Sequence, residues 1–137
     1  MSAAVNAIDP QLRSFHDHSY AGLEVQDDLL IVYRKPDATV DALVRDLAGD
    51  VEVELRDAPY ALEQLQPLAE RVDGDRHYWS TRGFPVKLVV PRPDGTGVNA
   101  FVTTEDLIGA RAAFRERYTD PPVFVDRPSR TGIVPAG

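Results

Sequence analysis

The sequence contains no cysteine, and no apolar run in it approaches the ~20 residues that a membrane-spanning helix requires. The first absence excludes a disulfide framework and a thiolate nucleophile. It does not assign a compartment, because reducing and oxidising locations both permit a protein without cysteine. The second absence leaves no candidate for a transmembrane segment, so we expect no membrane partner.

Positive charge is also scarce. The chain has 22 acidic residues against 15 lysines and arginines, which gives a net charge of −7 at pH 7 and an isoelectric point of about 4.8. A surface with this excess repels a phosphate backbone, so nucleic acid is not an expected partner. The favoured partners are neutral or basic protein surfaces.

A secretion signal is missing from residues 1–7, which lack both a basic segment and a long apolar core. The sequence as written therefore predicts a cytoplasmic protein. A secreted protein whose signal had been removed would have the same sequence, so secretion remains the alternative.

What the chain does contain is typical of one globular α+β domain. Its 137 residues are 43% hydrophobic and 27% charged, which argues against an unfolded chain. The patterning predicts an N-terminal arm over residues 1–20, the α+β domain over residues 21–126 and a flexible tail over residues 127–137. The domain itself is predicted to consist of two units, residues 21–59 and 83–126, linked by a helix over residues 60–73.

The first unit is predicted to be a hairpin, a helix and a strand. The continuous apolar run Leu29–Tyr33 indicates a strand that is buried on both faces. Asp37 suits the N-cap of the helix, and Gly49 suits its C-terminal end. The apolar stripe of that helix is Val40, Leu43, Val44, Leu47 and Ala48. The strand after it alternates at Val51, Val53 and Leu55.

The second unit repeats this order of elements. A hairpin through a turn at residues 91–97 is followed by Thr103 and Asp106, which resemble a capping box, and then by a helix and the short strand Val123–Val125. The apolar stripe of the helix is Leu107, Ala110, Phe114 and Tyr118. The repeated order predicts an internal duplication. It also predicts mostly antiparallel sheets with helices on one face.

Three short segments resemble one known family. Tyr20–Leu23 leads into the strand Leu29–Val32 as a Phe/Tyr-Ala-Gly segment leads into the first hairpin of that family. Val51–Gln66 resembles its strand followed by a Tyr-Ser-Leu helix start, and Arg111–Tyr118 resembles its later helix, which ends in Arg-Tyr-Gly. Through these segments the chain resembles the propeptide region of the secreted bacterial serine proteases of the α-lytic protease and streptogrisin type.

The resemblance implies a non-catalytic, protein-binding function. Such propeptides assist the folding of their own protease and inhibit it, so the implied partner is another protein, a serine protease, and no cofactor is implied. No protease domain follows Gly137, so the chain would be a freestanding relative or an excised piece. The contact would be made by the tail, extended in the protease cleft. The partner-binding residues would be Arg130, Thr131, Gly132, Ile133, Val134, Pro135, Ala136 and Gly137.

No complete catalytic or metal-binding motif is visible in the sequence. None of the serines lies in a nucleophile-elbow context, and the carboxylates are scattered without a paired acid–base site. His16, Asp17 and His18 lack a third ligand at a useful spacing. We therefore predict no catalytic residues, no metal site and no cofactor.

Two alternatives to the propeptide-like function remain open. The first is a small ligand-binding protein or enzyme with its site in a groove where the two units meet. That site would consist of His77, Tyr78, Trp79 and Arg82, although Tyr78 and Trp79 would equally suit the core. The second is an acidic scaffold or antitoxin-like partner of a basic protein, for which the net charge is the support.

Overall fold

A computed structural model describes residues 1–128 of the chain. The helices and strands in this range are α1 Ser2–Phe15, β1 Tyr20–Gln26, β2 Leu29–Arg34, α2 Ala38–Ala48, β3 Glu52–Asp57, α3 Leu62–Gly74, α4 Arg76–Thr81, β4 Val86–Pro91, β5 Val98–Val102, α5 Leu107–Arg117 and β6 Val123–Asp126. The predicted α+β class is confirmed. No helix within these residues combines the length and the apolar character needed to cross a bilayer.

The chain divides into two compact units. Unit 1 comprises Met1–Leu65 and Arg92–Thr96, and unit 2 comprises Gln66–Pro91 and the chain from Gly97 onward. Each unit holds one three-stranded sheet, with the strand orders β1-β2-β3 and β4-β5-β6.

The strand directions differ from the prediction of mostly antiparallel sheets. Each sheet is mixed, because its middle strand is antiparallel to the first strand and parallel to the last. A hairpin turn joins the antiparallel pair, whereas a helix, α2 or α5, lies between the parallel strands. A crossover of this kind returns the chain to the same end of the sheet, so the last strand must run parallel to the middle one.

The predicted repeat in the order of elements is confirmed. Both units contain a hairpin, a helix and a strand with the same pairing, and the first strand of each sheet has a register shift, between Tyr20 and Gly22 in β1 and between Val86 and Leu88 in β4. A common origin of the two units remains a prediction, which the shared topology supports.

The N-terminal arm predicted over residues 1–20 is wrong. Most of it is the 14-residue helix α1, which continues through Pro10. Ala4, Ile8 and Leu12 lie four residues apart and are buried in the core of unit 1. The Tyr20 hydroxyl donates to Asp9 Oδ1 at 2.5 Å and holds the middle of the helix to β1. Burial of this apolar stripe therefore keeps α1 continuous through Asp9 and Pro10.

The elements around β2 agree with the sequence patterns. The Asp37 side chain accepts hydrogen bonds from the N–H groups of Thr39 and Val40, which confirms it as the N-cap of α2, and Gly49 ends that helix with φ 61°. On β2 the side chains alternate between two hydrophobic clusters. One contains Leu30 and Val32 with residues of α1 and α2; the other contains Ala21, Ile31, Tyr33 and Ala58. The strand is thus buried on both faces, as predicted.

In the second half of the chain, the predicted linking helix is α3, which continues through Pro67, and residues 77–79 lie in the short helix α4. The capping box expected from Thr103 does not form. Asp106 is itself the N-cap of α5 and accepts a hydrogen bond from the Gly109 N–H at 2.9 Å, because α5 begins at Leu107, three residues later than a cap at Thr103 would place it.

Candidate functional site

Strand β3 is an edge strand of the unit 1 sheet, with β2 on one side. Its side chains alternate between exposed and half-buried, and its exposed positions include Glu52, Glu54 and Arg56. Val53 and Leu55 pack against the core that holds α1 and α2. The strand is therefore anchored through one face and carries charged groups on the other.

Some backbone N–H and C=O groups of β3 lie on the side of the strand that faces away from β2. The Ala58 N–H donates to the Arg34 carbonyl at 2.9 Å at the end of the β2–β3 ladder. In a regular parallel ladder the bonding residues alternate along each strand, so the N–H and C=O groups of Val53, Leu55 and Asp57 point away from β2. An edge strand of this kind is a template for a further strand.

Acidic side chains surround the start of β3. A surface depression of about 340 Å³ is lined by Met1, Asp28, Asp50, Val51 and Glu52, and its three carboxylate residues are exposed. Within residues 1–128 no group of three or more potential ligands is placed to hold a metal ion. The depression is therefore an electrostatic feature, suited to a cationic side chain.

The two units differ strongly in charge. Unit 1 contains 14 acidic and 6 basic residues, a formal charge of −8, whereas unit 2 contains 8 acidic and 9 basic residues, a formal charge of +1. The net charge of the chain thus comes entirely from unit 1. The β3 edge lies in the acidic unit.

The core of unit 2 is built around Trp79, which is 1% exposed. Its ring stacks on Phe114 with the ring centroids 4.0 Å apart and an interplanar angle of 12°. The Trp79 indole N–H donates to the Tyr118 hydroxyl at 2.9 Å. Both the face and the polar group of the ring are therefore used inside the unit, and Trp79 packs in the core.

A hydrogen-bonded carboxylate adjoins this core. The Tyr118 hydroxyl donates a hydrogen bond to Asp75 Oδ2 at 2.6 Å, and Arg117 Nε donates one to the same oxygen at 3.1 Å. Burial raises the pKa of Asp75, but the hydrogen bonds from Arg117 and Tyr118 and the charges of Arg117 and Arg71 outweigh it and hold that pKa below its ordinary value. Burial and the bond to Asp75 raise the pKa of Tyr118 to about 12.

The half-buried ring of Tyr78 lies beside Trp79, in an edge-on contact with the centroids 5.0 Å apart. The Arg82 guanidinium carbon is 3.5 Å from the Tyr78 ring centroid, and that of Arg117 is 3.7 Å from it. The Arg71 guanidinium carbon lies 5.0 Å from the centroid of the Tyr118 ring. Three arginines therefore converge on two neighbouring tyrosines, an arrangement typical of cation–π stacking.

The residues proposed for a ligand site are only partly brought together. Tyr78 and Arg82 stack, whereas Trp79 is in the core and His77 is exposed on α4. Of the two roles open to Trp79, core packing is the one observed.

The proposed partner-binding residues 130–137 lie outside the described part of the chain. His16 and His18 have ring centroids 6.0 Å apart, and His18 Nε2 lies 3.5 Å from Asp37 Oδ2.

Arg117, Arg71 and Asp75 are the members of the unit 2 cluster that sequence reasoning missed. Arg117 belongs to a run of charged residues typical of a solvated helix face, and Asp75 follows Asp73 and Gly74 as in a turn. Arg71 and Asp75 share a helical spacing of four residues, which is a local signal. The contact between Tyr78 and Arg117 joins residues far apart in the sequence, so no local pattern reveals it.

Comparison with known proteins identifies no relative: no protein-family model, no curated protein and no solved structure matches the chain.

Proposed function

We propose that the chain is a non-catalytic protein-binding module, in which unit 1 accepts an extended, basic segment of a partner as an additional strand along β3. The observation that carries the proposal is the exposed edge of β3, six residues long and set in a unit of charge −8.

The backbone supports this mode of binding. An added strand gains affinity from main-chain hydrogen bonds and specificity from alternate side chains. Val53, Leu55 and Asp57 supply three outward-facing N–H and C=O pairs for such bonds. The edge is also preorganised, because the half-buried side chains of Val53 and Leu55 pack against the core of the unit. Binding would therefore require little ordering of β3 itself.

The charges select the kind of segment that binds. Glu52 and Glu54 lie on the exposed face of β3, and Asp28 and Asp50 border the depression at its start. Lysine or arginine side chains at alternate positions of an added strand would meet these carboxylates. Glu54 also binds Arg56, whose Nε donates to it at 2.8 Å. Charged side chains on an edge discourage pairing between identical copies, so the same residues oppose self-association through β3.

The experiment uses a fluorescein-labelled peptide of alternating lysine and valine, measured by anisotropy at low salt. We expect binding that weakens at least tenfold when both glutamates are reversed, in Glu52→Lys/Glu54→Lys. Asp46→Lys changes the charge of an exposed residue on α2 of the same unit and should leave the affinity within about twofold.

Strand addition is separated from simple charge attraction by a second peptide. In this peptide every other backbone nitrogen, on the side that would face β3, is methylated. Methylation removes these N–H donors and leaves the charge of the peptide unchanged. We expect this peptide to bind at least tenfold more weakly, and the amides of Val53, Leu55 and Asp57 to exchange more slowly in the unmethylated complex. Equal binding of the two peptides would refute strand addition.

A narrower form of the proposal has a serine protease as the partner, as the propeptide resemblance implies. In this form Arg130–Gly137 occupies the protease cleft. Deleting that segment should leave the melting midpoint unchanged and weaken inhibition of a trypsin-fold protease at least tenfold. If the full chain inhibits no such protease at micromolar concentration, the narrower form fails while strand addition is still tested by the peptides.

A further inference from the structure

The arginines around Tyr78 carry more positive charge than their surroundings compensate. Arg117 is paired with Asp75. Within residues 1–128, neither Arg82 nor Arg71 has a carboxylate oxygen within 4.0 Å. Three guanidinium groups thus share one carboxylate in a chain whose net charge is −7. Like charges held together in this way repel each other, so the cluster suits an anionic ligand.

The stacked geometry leaves hydrogen-bond donors of both arginines for a ligand, although Arg117 already uses its Nε–H on Asp75. A guanidinium group that lies over a ring uses its face for the contact, whereas its N–H donors point outward in its own plane. Arg82 donates to the Tyr78 carbonyl and the Thr81 hydroxyl at 3.3 and 3.4 Å, both through the same terminal nitrogen. Its other donors are available for a ligand. Stacking also reduces the side-chain entropy that binding would otherwise cost.

The separation of the two stacked arginines defines the ligand. Two flat guanidinium groups that both lie within 4 Å of one centroid would overlap on a single side of the ring, so Arg82 and Arg117 must lie on opposite faces of Tyr78. Their distances of 3.5 and 3.7 Å from the centroid then place their central carbons at most about 7 Å apart. The ring lies between them and prevents both from gripping one small anion. Two anionic groups at a similar spacing would match. In an extended chain, side chains at i and i+2 point the same way and are ~6.6 Å apart.

We propose that Arg82 and Arg117, held on opposite faces of Tyr78, bind two carboxylates at positions i and i+2 of an extended acidic segment of a partner protein. Arg71, on the neighbouring Tyr118, adds to the positive potential. The site lies in unit 2 and shares no residue with the β3 edge. It takes an acidic segment, whereas β3 takes a basic one, so either proposal can fail without the other.

The test uses two heptapeptides of equal charge, both with uncharged blocking groups at their ends. One has Glu-Val-Glu at its centre, and the other has Glu-Glu-Val, which places the carboxylates on opposite sides of an extended chain. Binding is followed by peptide anisotropy and by the fluorescence of Trp79, the single tryptophan, which touches Tyr78. We expect the first peptide to bind at least fivefold more tightly and to change the Trp79 emission.

Three variants locate the binding. Arg82→Gln should weaken the Glu-Val-Glu peptide at least tenfold, whereas Arg115→Gln, an equal loss of charge at an exposed position of α5, should change its affinity less than twofold. Tyr78→Leu keeps every charge but removes the ring, and should weaken binding at least fivefold. A thermal melt of each variant verifies that the fold is retained.

Four results would overturn the proposal. Equal affinities for the two peptides would remove the spacing argument, and equal effects of Arg82→Gln and Arg115→Gln would reduce the interaction to general attraction. Retained affinity in Tyr78→Leu would show that the stacked geometry is not used. If glutarate or inorganic phosphate displaced the peptide and bound as tightly as the peptide does, the site would be one for a small anion and not for a protein segment.

Discussion

At the scale of single residues, the core of unit 2 depends on the stack between Phe114 and Trp79. Phe114 is fully buried, whereas Leu43 on α2 is only partly buried, although both belong to apolar helical stripes. We predict that Phe114→Ala lowers the free energy of unfolding by about 3–5 kcal/mol. Leu43→Ala should cost about 2 kcal/mol or less. Urea denaturation of both variants measures the difference, and equal losses would contradict the placement of Phe114.

Asp75 should make stability depend on pH in the acid range. Its folded pKa lies below its ordinary value. The stabilisation from its carboxylate is therefore fully present above the unfolded pKa of about 4 and is lost as the pH falls through the folded pKa. We predict that Asp75→Asn is less stable than the parent chain at pH 6 and that the gap between them narrows from pH 4 to pH 2. A gap that stays constant over this range would show that the charge of Asp75 is not what stabilises the fold.

At the scale of elements, the segment Arg92–Thr96 packs against the unit 1 sheet at Gly95. The Tyr60 N–H donates to the Gly95 carbonyl at 3.1 Å, and a Cβ atom on Gly95 would lie 2.5 Å from Ala58 Cβ and 2.7 Å from the Tyr60 carbonyl oxygen. Gly95 has φ +74°, a value that disfavours other residues. Gly83 has φ +83° but nothing within 4 Å of the corresponding position.

These two glycines separate backbone strain from steric contact. We predict that Gly83→Ala costs about 1–2 kcal/mol of unfolding free energy, the penalty for the left-handed region. Gly95→Ala should cost about 1–3 kcal/mol more, because its methyl group also overlaps Ala58. Chemical denaturation of both variants tests the pair. If they lose the same free energy, Arg92–Thr96 does not pack on the sheet as described.

The elements that could be predicted from the sequence are those with a strong local pattern. The stripe from Val40 to Ala48, bounded by Asp37 and Gly49, specifies α2 almost completely. The segment of α1 was predicted to be an arm, because Pro10 lies inside it and only packing in the core shows that the helix continues over its full length. The parallel pairing of the last strand in each sheet was missed for a related reason. It depends on which edge the chain returns to, and the alternation of a strand does not encode this.

The candidate sites, too, could be predicted only where a local sequence pattern or the composition reveals them. The acidity that favours a basic partner is visible in composition, but its concentration in unit 1 requires the division of the chain into units. Tyr78 and Arg82 lie one helical turn apart and could be selected together. Arg117, which completes the stack on Tyr78, comes from α5, and a contact of this length is set by tertiary packing alone.

At the scale of the whole molecule, the uneven charge should govern how salt affects stability. Unit 1 has 14 acidic residues against 6 basic ones, so its charges produce a net repulsion. This repulsion is screened as the Debye length falls from about 30 Å at 0.01 M to 3 Å at 1 M salt.

Asp46 and Glu116 are both exposed and both lie in the last turn of their helices, α2 in unit 1 and α5 in unit 2. Lysine at either position gains equally from the helix dipole, so that contribution cancels in the comparison. We predict that Asp46→Lys raises the unfolding free energy by about 0.5 kcal/mol more than Glu116→Lys at 0.01 M salt, because the first change relieves repulsion in the acidic unit and the second adds a cation to a unit whose charge is already +1. The difference should fall by more than half at 0.5 M salt. Equal gains from the two substitutions would mean that stability follows the net charge of the chain, and not the division of that charge between an acidic and a near-neutral unit.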